Sequence, residues 1–263
     1  MNFNKLLIEA INASILGGNE ILKIYNTDFR IEEKSDNSPL TKADKNCNEV
    51  IQNCLKSLSI PILSEEGAEV PFFVRKIWDY FWLIDPLDGT KEFIKKNGEF
   101  TVNISLVNKG NPVMGIVYVP VTNVLYFASE NLGSFKSVEK DTISSLDQLI
   151  KRSEKLPLNQ NRNNFVMVGS RSHMSRETLE YFGEMEKLHE KVEIISKGSS
   201  LKLCMVAEGT ADVYPRFAPT MEWDTAAGDA ICRIAGFSVL QYDSELLLKY
   251  NKEELLNPWF IVK

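Results

Sequence analysis

Histidine, cysteine and net positive charge are all scarce in this 263-residue chain, and each scarcity removes a class of function. Two histidines, His173 and His189, are too few for a histidine-built metal centre, so any cation must be held by oxygen. The four cysteines (Cys47, Cys54, Cys204, Cys232) show no C-x-x-C spacing, which excludes zinc ribbons and thioredoxin-type motifs. Cys47 and Cys54 stand two helical turns apart, roughly 10 Å at the usual rise, too far for a disulfide. Buried thiols in a reducing compartment, the cytoplasm, are expected instead. The formal charge is −6 with no clustered basic face, so no nucleic-acid partner is expected. An anionic substrate would then need a cation or a few focused basic residues. The longest apolar run, PVMGIVYVPV, is too short to span a membrane, which leaves loose attachment to a membrane surface open.

What is present is ordinary for a globular protein, 44% hydrophobic and 25% charged, long enough for one large domain or two small ones. The opening MNFNKLLIEAINASILGG is broken by Glu9 and Asn12, unlike a signal peptide. Phe3, Leu6, Leu7, Ala10, Gly17, Ile21 and Ile24 form the stripe of an amphipathic helix. DFRIEEKSD reads as a short extended segment, and Thr41 to about Ser59 as a second helix facing inward through Ala43, Cys47, Val50, Ile51, Cys54, Leu55 and Leu58. IPIL and DYFWLI read as strands. FTVNISLV and VMGIVYVPV, joined by NKGNP, read as an antiparallel hairpin that VLYFASE extends.

These elements make residues 1–133 an α+β half. Residues 134–164 turn polar and read as a surface connection. Residues 165–263 alternate strand and helix, the pattern of an α/β half with parallel strands. The loops after its first two strands, GSRSH (169–173) and SKGSS (196–200), then share one edge and are placed to hold a ligand.

Within the first half, WLIDPLDGT (82–90) sets two aspartates three positions apart around a proline. Asp-Pro and Asp-Gly are also turn dipeptides, so a surface turn is the plain alternative. Three further acidic positions weigh against it: Glu65 and Glu66 after a strand, Asp224 in WDTAAG, and Asp44 in LTKAD. Singly, Asp44 fits a capping box with Thr41, Asp224 fits a helix N-cap, and Glu65-Glu66 fits a solvated turn. Jointly they supply the oxygen ligands that magnesium requires. Pro86 restrains the backbone between Asp85 and Asp88 and frees the Leu87 carbonyl as a ligand. Gly89 allows close backbone approach, and Thr90 opens a helix whose amides favour an anion.

Glu65-Glu66, then DPLDGT, then WDTAAG, in this order and spacing, resembles the inositol monophosphatase superfamily of lithium-sensitive, magnesium-dependent phosphatases. The resemblance covers nearly the whole chain and implies a layered αβαβα sandwich. It implies two or three Mg2+ ions on Glu65, Asp85, the Leu87 carbonyl, Asp88 and Asp224, with Glu66 behind them. It gives Thr90 and Asp44 the task of taking a proton from water that attacks a phosphate monoester in line, without a phosphoenzyme.

DPLDGTKEF, GSSLKLCMVAEGTADVYPRF, VGSRSHMS and LLNPWFIV are similar to the bisphosphate nucleotidase branch, whose substrate is adenosine 3′,5′-bisphosphate, a by-product of sulfate assimilation. The residues agree with that substrate. Lys202 sits in a helix's first turn, where the dipole disfavours a cation unless an anion lies beside Ser199 and Ser200. Arg216 in YPRF offers a bidentate grip on phosphate or a stacking surface. Arg171 and His173 on the neighbouring loop are candidates for phosphate or adenine contact. Each also has a plain reading: a snorkelling Lys202, a salt-bridged Arg216, a capping His173. Asp243-Ser244-Glu245 replaces the branch's usual glycine-proline turn, and 134–164 matches poorly. An inositol or sugar phosphatase of the same superfamily, and an inactive metal- or nucleotide-binding regulator, remain the alternatives. Monomer and homodimer both stay open.

Overall fold

The computed structural model describes residues 1–25, 27, 31–33, 39–159, 161–172 and 174–263. Helix α1 (Phe3–Tyr25) buries Leu6, Leu7, Ala10, Ile11 and Ile21 along one stripe. A small antiparallel pair, β1 (Ile31–Glu33) and β2 (Pro39–Thr41), leads into α2 (Lys42–Lys56). The buried face of α2 is Ala43, Asp44, Cys47, Asn48, Ile51 and Leu55, so helical spacing turns Asp44 inward together with the apolar residues. Next come β3 (Ile62–Ser64), one turn of α3 (Phe72–Arg75), β4 (Tyr80–Asp88) and α4 (Thr90–Ile94). The hairpin β5 (Thr101–Asn108) and β6 (Asn111–Val119) follows, then β7 (Val124–Ser129) and β8 (Gly133–Val138). Helix α5 (Leu146–Arg152) and β9 (Glu154–Lys155) close the first half.

Strands β3 to β9 form one seven-stranded sheet in chain order, with β3–β4 parallel and the remainder antiparallel. Residues 134–164 are therefore more than a connection: β8 and β9 belong to the sheet, and Leu146 and Leu149 of α5 are buried. Their polar composition is absorbed by a local network. Ser137 Oγ donates to Glu139 Oε1 (2.6 Å), and Arg152 grips both oxygens of that carboxylate at 2.7 Å.

The second half comprises β10 (Phe165–Ser170), α6 (Arg176–Leu188), β11 (Val192–Lys197), α7 (Leu201–Ala207), β12 (Tyr214–Arg216), α8 (Glu222–Ala235), β13 (Val239–Gln241) and β14 (Phe260–Val262). The expected parallel pairing holds for β10–β11 and for a single bridge, Met167–Val213. It fails for β12, β13 and β14, which are antiparallel in the order β12–β14–β13. The cause is β14 at the C-terminal end, which inserts between two strands that βα alternation alone would have made neighbours.

Five layers result. Helices α1 and α2 cover one face of the large sheet through Leu7, Ile11, Ile51, Trp82, Ile104 and Ile116. Helices α7 and α8 cover the other through Phe81, Leu83, Val117, Leu203, Ala227 and Ile231, with β10–β14 packed beyond them. Phe182 of α6 lies outermost, against Met167 and Val213. Helix α8 lies almost on the sheet backbone: a Cβ on Gly115 would stand 2.2 Å from the Ala227 carbonyl oxygen. Only glycine permits that approach, and it helps set where the N-terminus of α8, with Asp224, comes to rest.

Candidate metal and phosphate site

A cavity of ≈ 450 Å³ opens between the two halves, within the size range of small-ligand sites. Glu65, Asp88, Thr90 and Asp224 line it together with Lys202 and Arg216, whose charges act on Asp88 and Asp224.

The geometry of the acidic end begins with a defect in β4. Two residues three positions apart on a regular strand point to opposite faces. Here Asp85 pairs with Asn103 and Asp88 with Thr101, so three steps along β4 match two along β5. The extra residue is a bulge, formed where Pro86 has no N–H to give to the ladder. It brings Asp85 and Asp88 to the same face. Leu87 lies within it, its side chain in the core, its N–H donating to Asp85 Oδ1 (3.1 Å). From α2, the Cys47 thiol donates to the Pro86 carbonyl (3.1 Å). Glu65 follows β3 and is held beside β4 by its N–H bond to the Ile84 carbonyl (3.1 Å). Asn48 ties the Glu65-Glu66 turn to α2, accepting from Ser64 Oγ (2.8 Å) and donating to the Glu66 carbonyl (3.3 Å). After Asp88, Gly89 takes φ +91, a left-handed conformation that favours glycine, and Thr90 starts α4.

Asp85 is 1% exposed. Burial first, then Glu65, Asp88, Asp224 and Asp44, push its pKa well above the ordinary carboxylate range. Asp224 is raised for the same reasons, with Asp88 and Glu65 as its principal neighbours. Among the described residues no three His, Cys, Asp or Glu are already gathered closely enough to hold a metal ion. Several oxygens are instead taken up by protein donors. Asp224 Oδ2 accepts the Met221 N–H (2.9 Å), closing a capping box in which Asp224 is the third residue of α8. The N-cap is Met221, so the N-cap reading of Asp224 is corrected. The donor set nonetheless fits a hard divalent cation: it is all oxygen, and its charges raise the pKa of the buried Asp85 and of Asp224, a repulsion that a cation would relieve.

Ser199 and Ser200 were expected to face phosphate; they line the cavity, but their hydroxyls turn to Asp88. Ser199 Oγ lies 2.6 Å and Ser200 Oγ 2.9 Å from Asp88 Oδ2, with Asn103 Nδ2 at 3.4 Å. Lys202 is in the first turn of α7 and 5% exposed. Its ammonium donates to the carbonyls of Ser199 and Lys197 and lies over the Tyr214 ring. Burial lowers its pKa from 10.5 to about 8; Arg216 acts in the same direction, while Asp88, Glu92 and Glu99 oppose. Arg216 is also buried. It donates from Nη2 to the Pro219 carbonyl (3.0 Å), while its Nε has no hydrogen-bond partner.

Arg171, a candidate substrate contact, is held by protein partners. It pairs bidentately with Glu99 (2.9 Å twice) and donates to the Ser196 carbonyl. Glu99 also accepts from Lys197 Nζ (3.2 Å) and Gly198 N–H (2.9 Å), fastening the 196–200 loop to the segment before β5. His173 lies outside the described residues. Three residues not foreseen from sequence border the site: Glu92 on the wall, joined to Ser172 Oγ (2.7 Å), and Thr101 and Asn103 beneath Asp88. The last two carried a signal, since polar side chains two apart share a face of an otherwise apolar strand. All four cysteines are free. Among the described residues no helix is long and apolar enough to cross a membrane.

The inositol monophosphatase family profile matches residues 4–259, so the chain belongs to that family, a class of metal-dependent phosphatases. Within it, the chain is 43% identical over 249 residues to the 3′(2′),5′-bisphosphate nucleotidase CysQ of Escherichia coli strain K12, covering 93% of this chain and 94% of that one. Haemophilus influenzae CysQ is 33% identical, with 98% and 92% covered. The crystal structure of CysQ from Bacteroides thetaiotaomicron superposes with a TM-score of 0.93 at 51% identity, covering 100% and 98%. An inositol monophosphatase from Anabaena, at 24% identity and a TM-score of 0.72 over 100% and 92%, shares the fold.

Proposed function

We propose that this chain is a magnesium-dependent phosphomonoesterase that removes the 3′-phosphate of adenosine 3′,5′-bisphosphate, releasing AMP and inorganic phosphate. The observation that carries the reading is the unlike charge lining one cavity: the carboxylates of Glu65, Asp88 and Asp224 together with two buried cations, one with an unpartnered Nε. A substrate with one reacting and one anchoring phosphate matches that division; a monophosphate would leave the buried cations unanswered. The names of the relatives support the same substrate.

Glu65, Asp85, the Leu87 carbonyl, Asp88 and Asp224 would hold magnesium, which when bound neutralises phosphoryl oxygens and lowers the pKa of water. Glu66 would orient the surrounding water. Thr90, at the start of α4, passes a proton from the attacking water towards Asp44, which is 2% exposed and so kept from bulk solvent. The Gly89 and Thr90 amides face the reacting phosphate. Lys202 and Arg216 hold the 5′-phosphate, which fixes the 3′-ester against the acidic end. One water O–P bond forms, the ester P–O bond breaks, and the departing 3′-oxygen takes a proton from solvent water, balanced when Asp44 returns the one it accepted. The test is phosphate release with Mg2+ from adenosine 3′,5′-bisphosphate, inositol 1-phosphate and fructose 1,6-bisphosphate. The bisphosphonucleotide should give the highest kcat/KM and yield AMP, not adenosine. Preference for inositol 1-phosphate, or release that persists in chelator, would reject the reading.

A further inference from the structure

The hydroxyls around Asp88 form a network with few protons and many acceptors. Asn103 Nδ2 donates to Ser200 Oγ (2.9 Å), so Asn103 Oδ1 faces Thr101, whose single hydroxyl proton goes there (2.9 Å). Thr101 Oγ1, 2.6 Å from Ser199 Oγ, is then left as an acceptor. The one proton of Ser199 therefore has two destinations, Asp88 Oδ2 (2.6 Å) or Thr101 Oγ1 (2.6 Å). The one proton of Ser200 also has two, Asp88 Oδ2 (2.9 Å) or the Asp224 carbonyl (2.8 Å). Both protons can rest on Asp88, or both can turn away without losing a partner. When the charge of Asp88 is drawn to a cation, Oδ2 is the weaker acceptor and the second arrangement gains.

Ser199 and Ser200 also belong to the loop that presents the basic end. The Ser199 carbonyl receives the Lys202 ammonium, and Glu99 fixes Gly198 and Lys197 just before it. Ser199 has φ +52, unusual for a residue with a side chain, so its contacts hold this conformation rather than local preference. A phosphate that draws the Lys202 ammonium off the Ser199 carbonyl loosens this seat, so the hydroxyls turn from Asp88 and both ligands favour the second arrangement, which is positive linkage.

We propose that Ser199, Ser200 and Asn103 are positioning residues that couple the cation site to the basic end of the cavity, so that a divalent cation and a nucleotide phosphate each tighten the binding of the other. This rests on the nucleotide reading above. AMP is the suitable probe, because its only phosphate is the one assigned to Lys202 and Arg216. Mn2+ binding is measured from the electron paramagnetic resonance of the free ion, with and without saturating AMP, in wild type, Ser200→Ala, Asn103→Ala and the hydroxyl-retaining Ser200→Thr. AMP should tighten Mn2+ by at least about 5-fold in wild type and Ser200→Thr, and by less than about 2-fold in both alanine variants. A merely structural role would weaken each ligand separately and leave that ratio unchanged. If AMP binds but the ratio is equal in every protein that melts cooperatively, this inference alone is overturned. If AMP does not bind wild type, the nucleotide reading falls with it.

Discussion

Lys202→Met isolates the basic end of the cavity, because the Lys202 ammonium titrates within reach of an activity assay. Its pKa is lowered to about 8 by burial, and kcat/KM follows the ionisations of the free enzyme. Wild-type kcat/KM for adenosine 3′,5′-bisphosphate should therefore decline as pH rises through about 8. A hydrogen bond to a charged group is worth about 1.5–3 kcal/mol, so the decline should level off at roughly 10- to 150-fold. Lys202→Met should carry that loss at every pH, mostly as higher KM, because the proposed role of the group is to hold the phosphate that does not react. para-Nitrophenyl phosphate, with no second phosphate, should be hydrolysed alike by both proteins. Stability should move the other way. The folded pKa, about 8, lies below the ordinary 10.5, so the ionised lysine opposes folding. That penalty is fully present below about 8 and gone above 10.5. At about 1.4 kcal/mol per pH unit the gap is worth about 3 kcal/mol. Urea melts should then show the advantage of Lys202→Met over wild type shrinking across that window. Superimposable pH profiles of kcat/KM in the two proteins would refute the reasoning.

Three further substitutions follow from the geometry. Asp85→Asn should lower turnover by more than about 100-fold, since even partners that merely orient a metal ligand are worth 10- to 100-fold. In chelator the same variant should melt higher than wild type above about pH 5. The folded pKa of Asp85 is raised, so the ionised carboxylate costs stability as pH climbs, and Mg2+ should reverse the order. Gly115→Ala places a methyl 2.2 Å from the Ala227 carbonyl. It should cost about 1–3 kcal/mol in denaturant melts and reduce activity by displacing α8 and Asp224. Arg216→Lys keeps the charge but loses the fork, and should raise KM for the bisphosphate about 10-fold or more with little change for para-nitrophenyl phosphate.

The sequence made the helical faces of α1 and α2 legible, because 3.6-residue spacing leaves a plain imprint; that Asp44 shares the buried face of α2 came from the structure. The β5–β6 hairpin was equally plain. The convergence of Asp85 and Asp88 was legible as chemistry but not as geometry, since it depends on a bulge that shows only when the strand has a partner. Three-residue β14 was invisible for a related reason: it pairs with β12 and β13, and such pairing leaves no local pattern. Ser199 and Ser200 were read as phosphate ligands from their place at a helix start, whereas the nearest charge for their hydroxyls is Asp88, supplied by the other half of the chain. Arg171 was likewise claimed by Glu99, a partner 72 positions away.

The most direct measurement of the central claim is anomalous scattering from crystals of the protein grown with Mn2+. At least one strong peak should stand at about 2.1 Å from oxygens of Asp85 and Asp88, with Glu65 or Asp224 completing the sphere. A well-ordered cavity with no peak among these carboxylates, at a Mn2+ concentration that supports phosphate release, would contradict that claim.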